Sequence, residues 1–238
     1  MPGKPTADDV VAWLRRNGKK ATRDGMARYA LPSDNAFGVS VGAMRAQAKK
    51  LGKDHDLAAA LWDTGWYEAR MMATFVDDPA KVTPAQMERW CKDFDSWGIT
   101  DTACFALFAR SPHAWDKVWR WATRRDEMVR RAAFALLASL VLHDKRAPDE
   151  RFVESLELVE RAASDDRNFV KKAVSWALRT VGKRSPTLYA AAVALSRKLA
   201  ASPDATPRWL GKDALRDLEG PITKKRMAAK AKAKPRGA

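Results

Sequence analysis

Trp97, Asp101, Arg131, Lys172 and Trp176 are the side chains whose types and spacing could do chemistry in this chain. A helix opening at about Trp97, behind Asp95 or Ser96 as N-cap, puts Trp97, Asp101, Cys104, Phe105 and Phe108 on one face. Asp101 is then a carboxylate on a face that otherwise reads as apolar. A charge buried there is costly unless something compensates it. It serves either the helix start, through the helix dipole, or a ligand. Three stretches align without gaps: Ile99 to Phe105, Val129 to Ala135, and Val170 to Trp176. In this register Asp101, Arg131 and Lys172 share one slot, and Phe105, Ala135 and Trp176 share another one turn later. If the helices are repeats, these slots face one surface and set a carboxylate beside a guanidinium and an ammonium. Trp176 lies off the apolar stripe of its helix (Val170, Val174, Ala177, Leu178, Val181) and beside Lys172 and Arg179. That position suits a binding surface, though a Trp is often only partly buried in any case.

The elements that hold these residues read as helices throughout. Apolar spacing and Gly, Pro, Ser or Asp at the boundaries predict helices over 8–16, 23–29, 41–51, 57–62 and 66–76. They continue over 84–94, from 97, and over 114–122, 126–142, 148–162, 166–181, 185–201 and 206–218. Thr83-Pro84 has the N-cap and first-turn proline pattern. No stretch sustains period-two alternation, so no strand is expected. Helical hairpins chained in this way predict an all-α solenoid, although repeat separations of 30 and 41 residues make it irregular.

With 238 residues, 46% of them hydrophobic and ten Trp, the chain can bury a sizeable core. Its formal charge is +15, and the last seventeen residues carry seven cations and no acid. Subtracting those seven leaves +8 on the rest, so the body is basic in its own right and favours a polyanion such as nucleic acid. The tail, residues 222–238, is Lys/Ala-rich and expected to be disordered, or helical on contact with an anion, outside a single domain at 1–221. Cys91 and Cys104 lie thirteen apart with no ligand spacing around them, and His55, His113 and His143 sit in unrelated contexts. Neither a disulfide framework nor a metal site is indicated. No run suggests a membrane span and no secretory signal is read, so the protein is expected in the cytoplasm, associated with the bacterial nucleoid.

From Met26 to Leu218 the chain resembles the AlkD family of DNA alkylation repair glycosylases, which are built from HEAT-like repeats. The resemblance rests on Met26-Ala27-Arg28-Tyr29, Leu61-Trp62-Asp63, Trp97-x-x-x-Asp101, Val129-Arg130-Arg131-Ala132-Ala133 and Lys172-Ala173-Val174-Ser175-Trp176-Ala177-Leu178-Arg179, in that order. It implies a right-handed α-α superhelix forming a single curved domain. It also implies a cleft in which Asp101, Trp97 and Trp176 are catalytic and Arg131 holds DNA. Arg130, Lys172, Tyr29 and Arg45 are read as further DNA contacts, Tyr29 as a hydrogen-bonding partner at the site. Where the family often has an aromatic before Trp97 and an acid after it, this chain has Ser96 and Gly98, and a first-turn glycine weakens a helix start.

The implied reaction is removal of cationic alkylpurines from double-stranded DNA by a monofunctional, monomeric enzyme without a cofactor. The alkylated base already carries a positive charge and leaves readily. One ionised carboxylate near the sugar would stabilise the oxocarbenium-like transition state and position water. The residues alone leave two other readings open: a non-catalytic helical-repeat protein that binds nucleic acid, and a protein-interaction scaffold with a basic tail.

Overall fold

A computed structural model of the protein describes residues 4–232, and among these every regular element is helical. In chain order the α-helices are α1 (Ala7–Asn17), α2 (Lys20–Met26), α3 (Val41–Leu51), α4 (His55–Asp63), α5 (Tyr67–Val76), α6 (Pro84–Lys92) and α7 (Trp97–Ala106). There follow α8 (Ala114–Trp121), α9 (Glu127–His143), α10 (Asp149–Arg161), α11 (Asn168–Val181), α12 (Pro186–Ala200), α13 (Ala205–Leu218) and α14 (Pro221–Lys232). Single 3-10 turns follow α2 at Ala27–Tyr29 and α7 at Phe108–Arg110.

The helix starts follow local chemistry. Thr6 and Asp9 form a reciprocal capping box on α1. The side chains of Ser40, Asp54, Thr83, Asp126 and Ser185 each accept a backbone N–H three residues on. Pro84 and Pro186 occupy first-turn positions where a missing N–H costs nothing. Ser96 precedes α7 at the expected place, but its hydroxyl makes no cap and is buried without a partner.

The chain divides into two compact units, one ending at Ala114 and one beginning at Trp115. The first unit packs α5 against α3, α4 and α7, with α1 against α4 and α5. Its centre is aromatic. Trp62 and Trp90 are fully buried and stack at 4.0 Å with an interplanar angle of 2°, and Trp62 donates from Nε1 to Asp93. Buried Glu68 on α5 anchors the loop between α2 and α3 by accepting the backbone N–H groups of Phe37, Gly38 and Val39 at 2.9, 2.7 and 3.2 Å. Gly38 adopts φ +84 there, and an added Cβ would lie 2.3 Å from the Lys19 carbonyl oxygen.

In the second unit α11 packs along α9 and α13, and α12 packs against α10, α13 and α14. Helix α9 is enclosed almost all round, with every residue from Arg131 to Val141 buried. Up to Lys232 the tail is a helix. Pro221–Lys232 is helical because Met227 and Thr223 are buried, and the Lys230 ammonium donates to the carbonyls of Lys183 and Arg184. Residues 233–238 lie outside the described residues. Among the described residues no helix is long and apolar enough to cross a membrane, and no cluster of His, Cys, Asp and Glu could hold a metal.

Candidate functional site

Helix α7 carries the first group of predicted residues. Its core side is Ile99, Thr100, Ala103 and Cys104, all buried. Trp97, Asp101 and Phe105 form a half-buried row at the edge of that core. Asp101 is thus not on the buried face with Cys104 and Phe108, as the apolar pattern suggests, but on the row beside it, where a charge retains access to solvent. It is the fifth residue of α7, beyond the first turn, so helix capping is not its job.

The row is held rigidly at Trp97. The indole Nε1 donates a 2.7 Å hydrogen bond to the Tyr29 carbonyl, which fixes the ring against the 3-10 turn after α2. The turn closes through Ala30 at φ +52, an uncommon conformation for a residue with a Cβ. Trp97 thus meets the backbone of Tyr29, whose ring is 68% exposed and stays open to solvent.

Gly98 has a packing reason that the sequence does not reveal. An added Cβ would lie 2.4 Å from the Tyr67 hydroxyl oxygen and 2.8 Å from Leu31 Cδ2. Tyr67 and Leu31 therefore approach the first turn of α7 more closely than any other residue type there would permit. Burial, with the negative charges of Glu68 and Asp95 nearby, raises the Tyr67 phenol well above its ordinary pKa, so it stays neutral.

Arg45 on α3 is exposed, and its guanidinium lies 5.3 Å above the Phe75 ring. Together with Lys49, Lys53, Phe75, Phe105 and Arg110 it borders a cavity of about 400 Å³ within the first unit.

The second group lies on α9 and α11. Of the three residues predicted to share a slot, Lys172 is exposed and Asp101 half-buried, whereas Arg131 is only 7% exposed. The slots are not equivalent because α9 is enclosed where α7 and α11 are not. Arg131 donates from Nη1 to the Phe169 carbonyl at 2.8 Å, and the Glu127 carboxylate accepts the Phe169 N–H at 3.2 Å. Glu127 and Arg131, one turn apart at the start of α9, therefore grip both sides of one residue in the first turn of α11. This clamp sets the register of Lys172 and Trp176 against α9. Arg131 thus has a structural role in joining α9 to α11, beside the phosphate contact expected of it from the sequence.

Arg130, also expected to contact DNA, forms an ion pair with Asp165 at 3.0 Å. Asp165 further receives Arg167 through Nε at 2.9 Å and Nη2 at 2.6 Å. Burial alone would raise the Asp165 carboxyl. Hydrogen bonds from the Arg167 side chain and backbone, with the Arg167 and Arg130 charges, outweigh it and hold the group below its ordinary value. Trp176 is half-buried while Val170, Val174, Ala177, Leu178 and Val181 are fully buried, so it does stand off the core stripe. Trp209 is partly exposed, with the Lys171 ammonium 5.4 Å above its ring.

Sequence reasoning missed Glu68, Asp165 and the Phe75 cavity. An acid between apolar Tyr67 and Ala69 is a signal for a buried carboxylate, but its three amide partners lie about thirty residues away and leave no local trace.

A profile of the family described as DNA alkylation repair enzyme matches residues 10–218. No curated protein matches the sequence. A solved structure described as "a new family of proteins related to the HEAT-like repeat DNA glycosylases with affinity for branched DNA structures" superposes with a TM-score of 0.78 at 21% identity, over 94% of this chain and 96% of that one. At that identity the likeness shows the fold, a HEAT-like helical repeat, as the AlkD resemblance implies. The family profile runs from within α1 to the end of α13, and the chain belongs to the DNA alkylation repair enzyme family.

Proposed function

We propose that the protein is a DNA glycosylase that hydrolyses the N-glycosidic bond of N3-alkyladenine and N7-alkylguanine in duplex DNA. The observation that carries this reading is the α7 row. Trp97 is locked by the Tyr29 carbonyl, and Asp101 follows one turn later on the same half-open side. Family membership and the basic charge of the chain point to DNA as the substrate.

A cationic alkylpurine needs no general acid to depart, because its electrons return to a ring that is already positive. The sugar is left electron-poor at C1′. The Asp101 carboxylate stabilises that charge and aligns water for attack, which forms the new C1′–O bond as the C1′–N bond breaks. At about 4 Å and an effective dielectric near 20, two unit charges attract by roughly 4 kcal/mol, about three decades of rate. Trp97 and Trp176 offer indole faces to the cationic nucleotide, each worth about 0.5–2 kcal/mol. Exposed Lys172, one turn before Trp176, meets a phosphate.

The test is release of 7-methylguanine from methylated duplex DNA. Asp101→Asn is expected to lower the single-turnover rate about a thousandfold with little change in DNA affinity. Equal, slow release by wild type and variant would end the enzymatic reading and leave a DNA-binding scaffold.

A further inference from the structure

The cavity of about 400 Å³ at the end of α7 has a composition that the glycosylase reading does not use. Four cations border it: Arg45, Lys49 and Lys53 from the α3 side, and Arg110 beyond α7. Among the described residues none of them has a carboxylate within ion-pair distance, although ion pairs are common elsewhere. The Lys53 ammonium instead donates to the carbonyls of Phe75 and Asp77, at 3.0 and 2.7 Å. Burial first, and then the positive charge of Arg110, lowers its pKa. Asp77 and Asp78 offset Lys53 in part, but among the described residues no carboxylate pairs with Arg45, Lys49 or Arg110, so the positive potential is concentrated there, which is what an anion requires.

Two aromatic rings make the site more specific than a phosphate patch. Phe75 lies under the Arg45 guanidinium, and Phe105 reaches the cavity from the Asp101 row, one turn farther along α7. A phenyl ring beside stacked guanidinium and lysine charges matches a flat base joined to a phosphate. The volume is within the range that holds a small ligand. A paired base cannot use such walls, because its faces are already covered by its neighbours in the stack.

We infer that this cavity holds an unpaired nucleotide of a DNA strand, with the base against Phe105 and the Arg45–Phe75 stack and the phosphate against Lys49 and Arg110. This goes beyond base excision, since it gives the protein a preference for DNA with a single-stranded end or branch whether or not Asp101 cuts. Because Phe105 is one turn from Asp101, a strand seated here would place a neighbouring nucleotide close to the carboxylate.

The experiment is fluorescence anisotropy with the full chain and two unmethylated duplexes of equal paired length. One duplex is blunt, and the other carries a three-nucleotide overhang containing 2-aminopurine. The overhang is expected to bind about tenfold tighter and its 2-aminopurine emission to fall on stacking. Phe105→Leu and the exposed Arg110→Gln should each remove most of that preference while thermal unfolding shows the fold intact. Equal affinity for the two duplexes overturns the proposal, and so does a preference undiminished in both variants. Displacement of the overhang by free deoxyadenosine monophosphate at comparable concentration would overturn the assignment to a strand. Base release plays no part in any of these readouts, so a failure here is distinguishable from a failure of Asp101 as the catalytic group.

Discussion

Arg45, Lys49 and Arg110 in the first unit border a cavity with two phenyl rings, and among the described residues no carboxylate pairs with them. In the second unit Arg130 and Arg167 share Asp165, Arg179 and Lys183 share Asp217, and Arg184 meets Asp149. The two units thus use the same residue types for different ends. The second unit builds its scaffold from guanidinium groups that grip loop carbonyls and acids. The first holds its scaffold with Trp97 on the Tyr29 carbonyl, Tyr67 against Gly98 and two buried acids, Glu68 on three amides and Asp77 on His55 and Gln86. The ion pairs Arg89–Asp63 and Arg70–Asp95 there involve none of the cavity residues. Its cavity cations are left available. Counting lysines and arginines along the chain therefore locates a polyanion-binding face poorly. What matters is which cations have already been neutralised.

The largest effect should come from removing the charge on which the second unit depends. Asp165→Asn takes away the shared partner of Arg130 and Arg167 and leaves Arg130, whose Nε is already buried without a partner, more poorly compensated. A loss of about 2–3 kcal/mol at pH 7 is expected in urea unfolding, reduced from the value for a fully buried pair because Arg167 is partly exposed. The sign with pH is fixed. A carboxyl whose folded pKa lies below its unfolded value of about 3.9 stabilises at pH above that value, and the contribution disappears as pH falls through the folded one. The gap between wild type and Asp165→Asn should therefore be full at pH 7 and close below pH 4. A gap that is constant with pH would mean the carboxylate charge is not what holds Arg130 and Arg167.

Gly98→Ala probes the other unit and pits two effects against each other. Helix propensity alone would make alanine the more stable by up to about 1 kcal/mol. The new Cβ would meet the buried Tyr67 hydroxyl and Leu31, and overpacking of this kind costs about 1–3 kcal/mol. A net loss of about 1 kcal/mol is expected, with slower base release because α7 and Trp97 shift together. A stabilised variant would show that Tyr67 moves aside freely.

Much of this was legible in the sequence because helices are local. Thr83-Pro84, Asp126 and Ser185 announced three helix starts, and the 41–51 helix is found at the predicted residues. The identity of the α7 row could also be read, since Trp97 and Asp101 are one turn apart. The surroundings of that row could not be read. Hydrophobic spacing put Asp101 with Cys104 and Phe108, but a helix edge and a helix core differ by only a fraction of a turn. Likewise Arg131 and Lys172 align in sequence, yet one is buried and the other is exposed. Partners about forty residues away, such as Phe169 for Arg131, decide which residues are scaffold and which are surface. The helical tail had the composition of disorder, and the burial of Met227 that orders it depends on α12 and α13.

The smallest expected effect separates those two residue classes most directly. Each phosphate contact neutralised by a cation contributes about 0.9 to the slope of log affinity against log salt concentration. Lys172 is exposed and Arg130 is committed to Asp165. Lys172→Gln should therefore lower the slope by about one, whereas Arg130→Gln should leave it unchanged while lowering the unfolding midpoint. The opposite pattern, a slope that responds to Arg130 and not to Lys172, would mean that the ion pair with Asp165 opens on DNA. The second unit would then keep a reserve of cations released by the substrate, and the contrast with the uncompensated cavity of the first would be one of timing and not of kind.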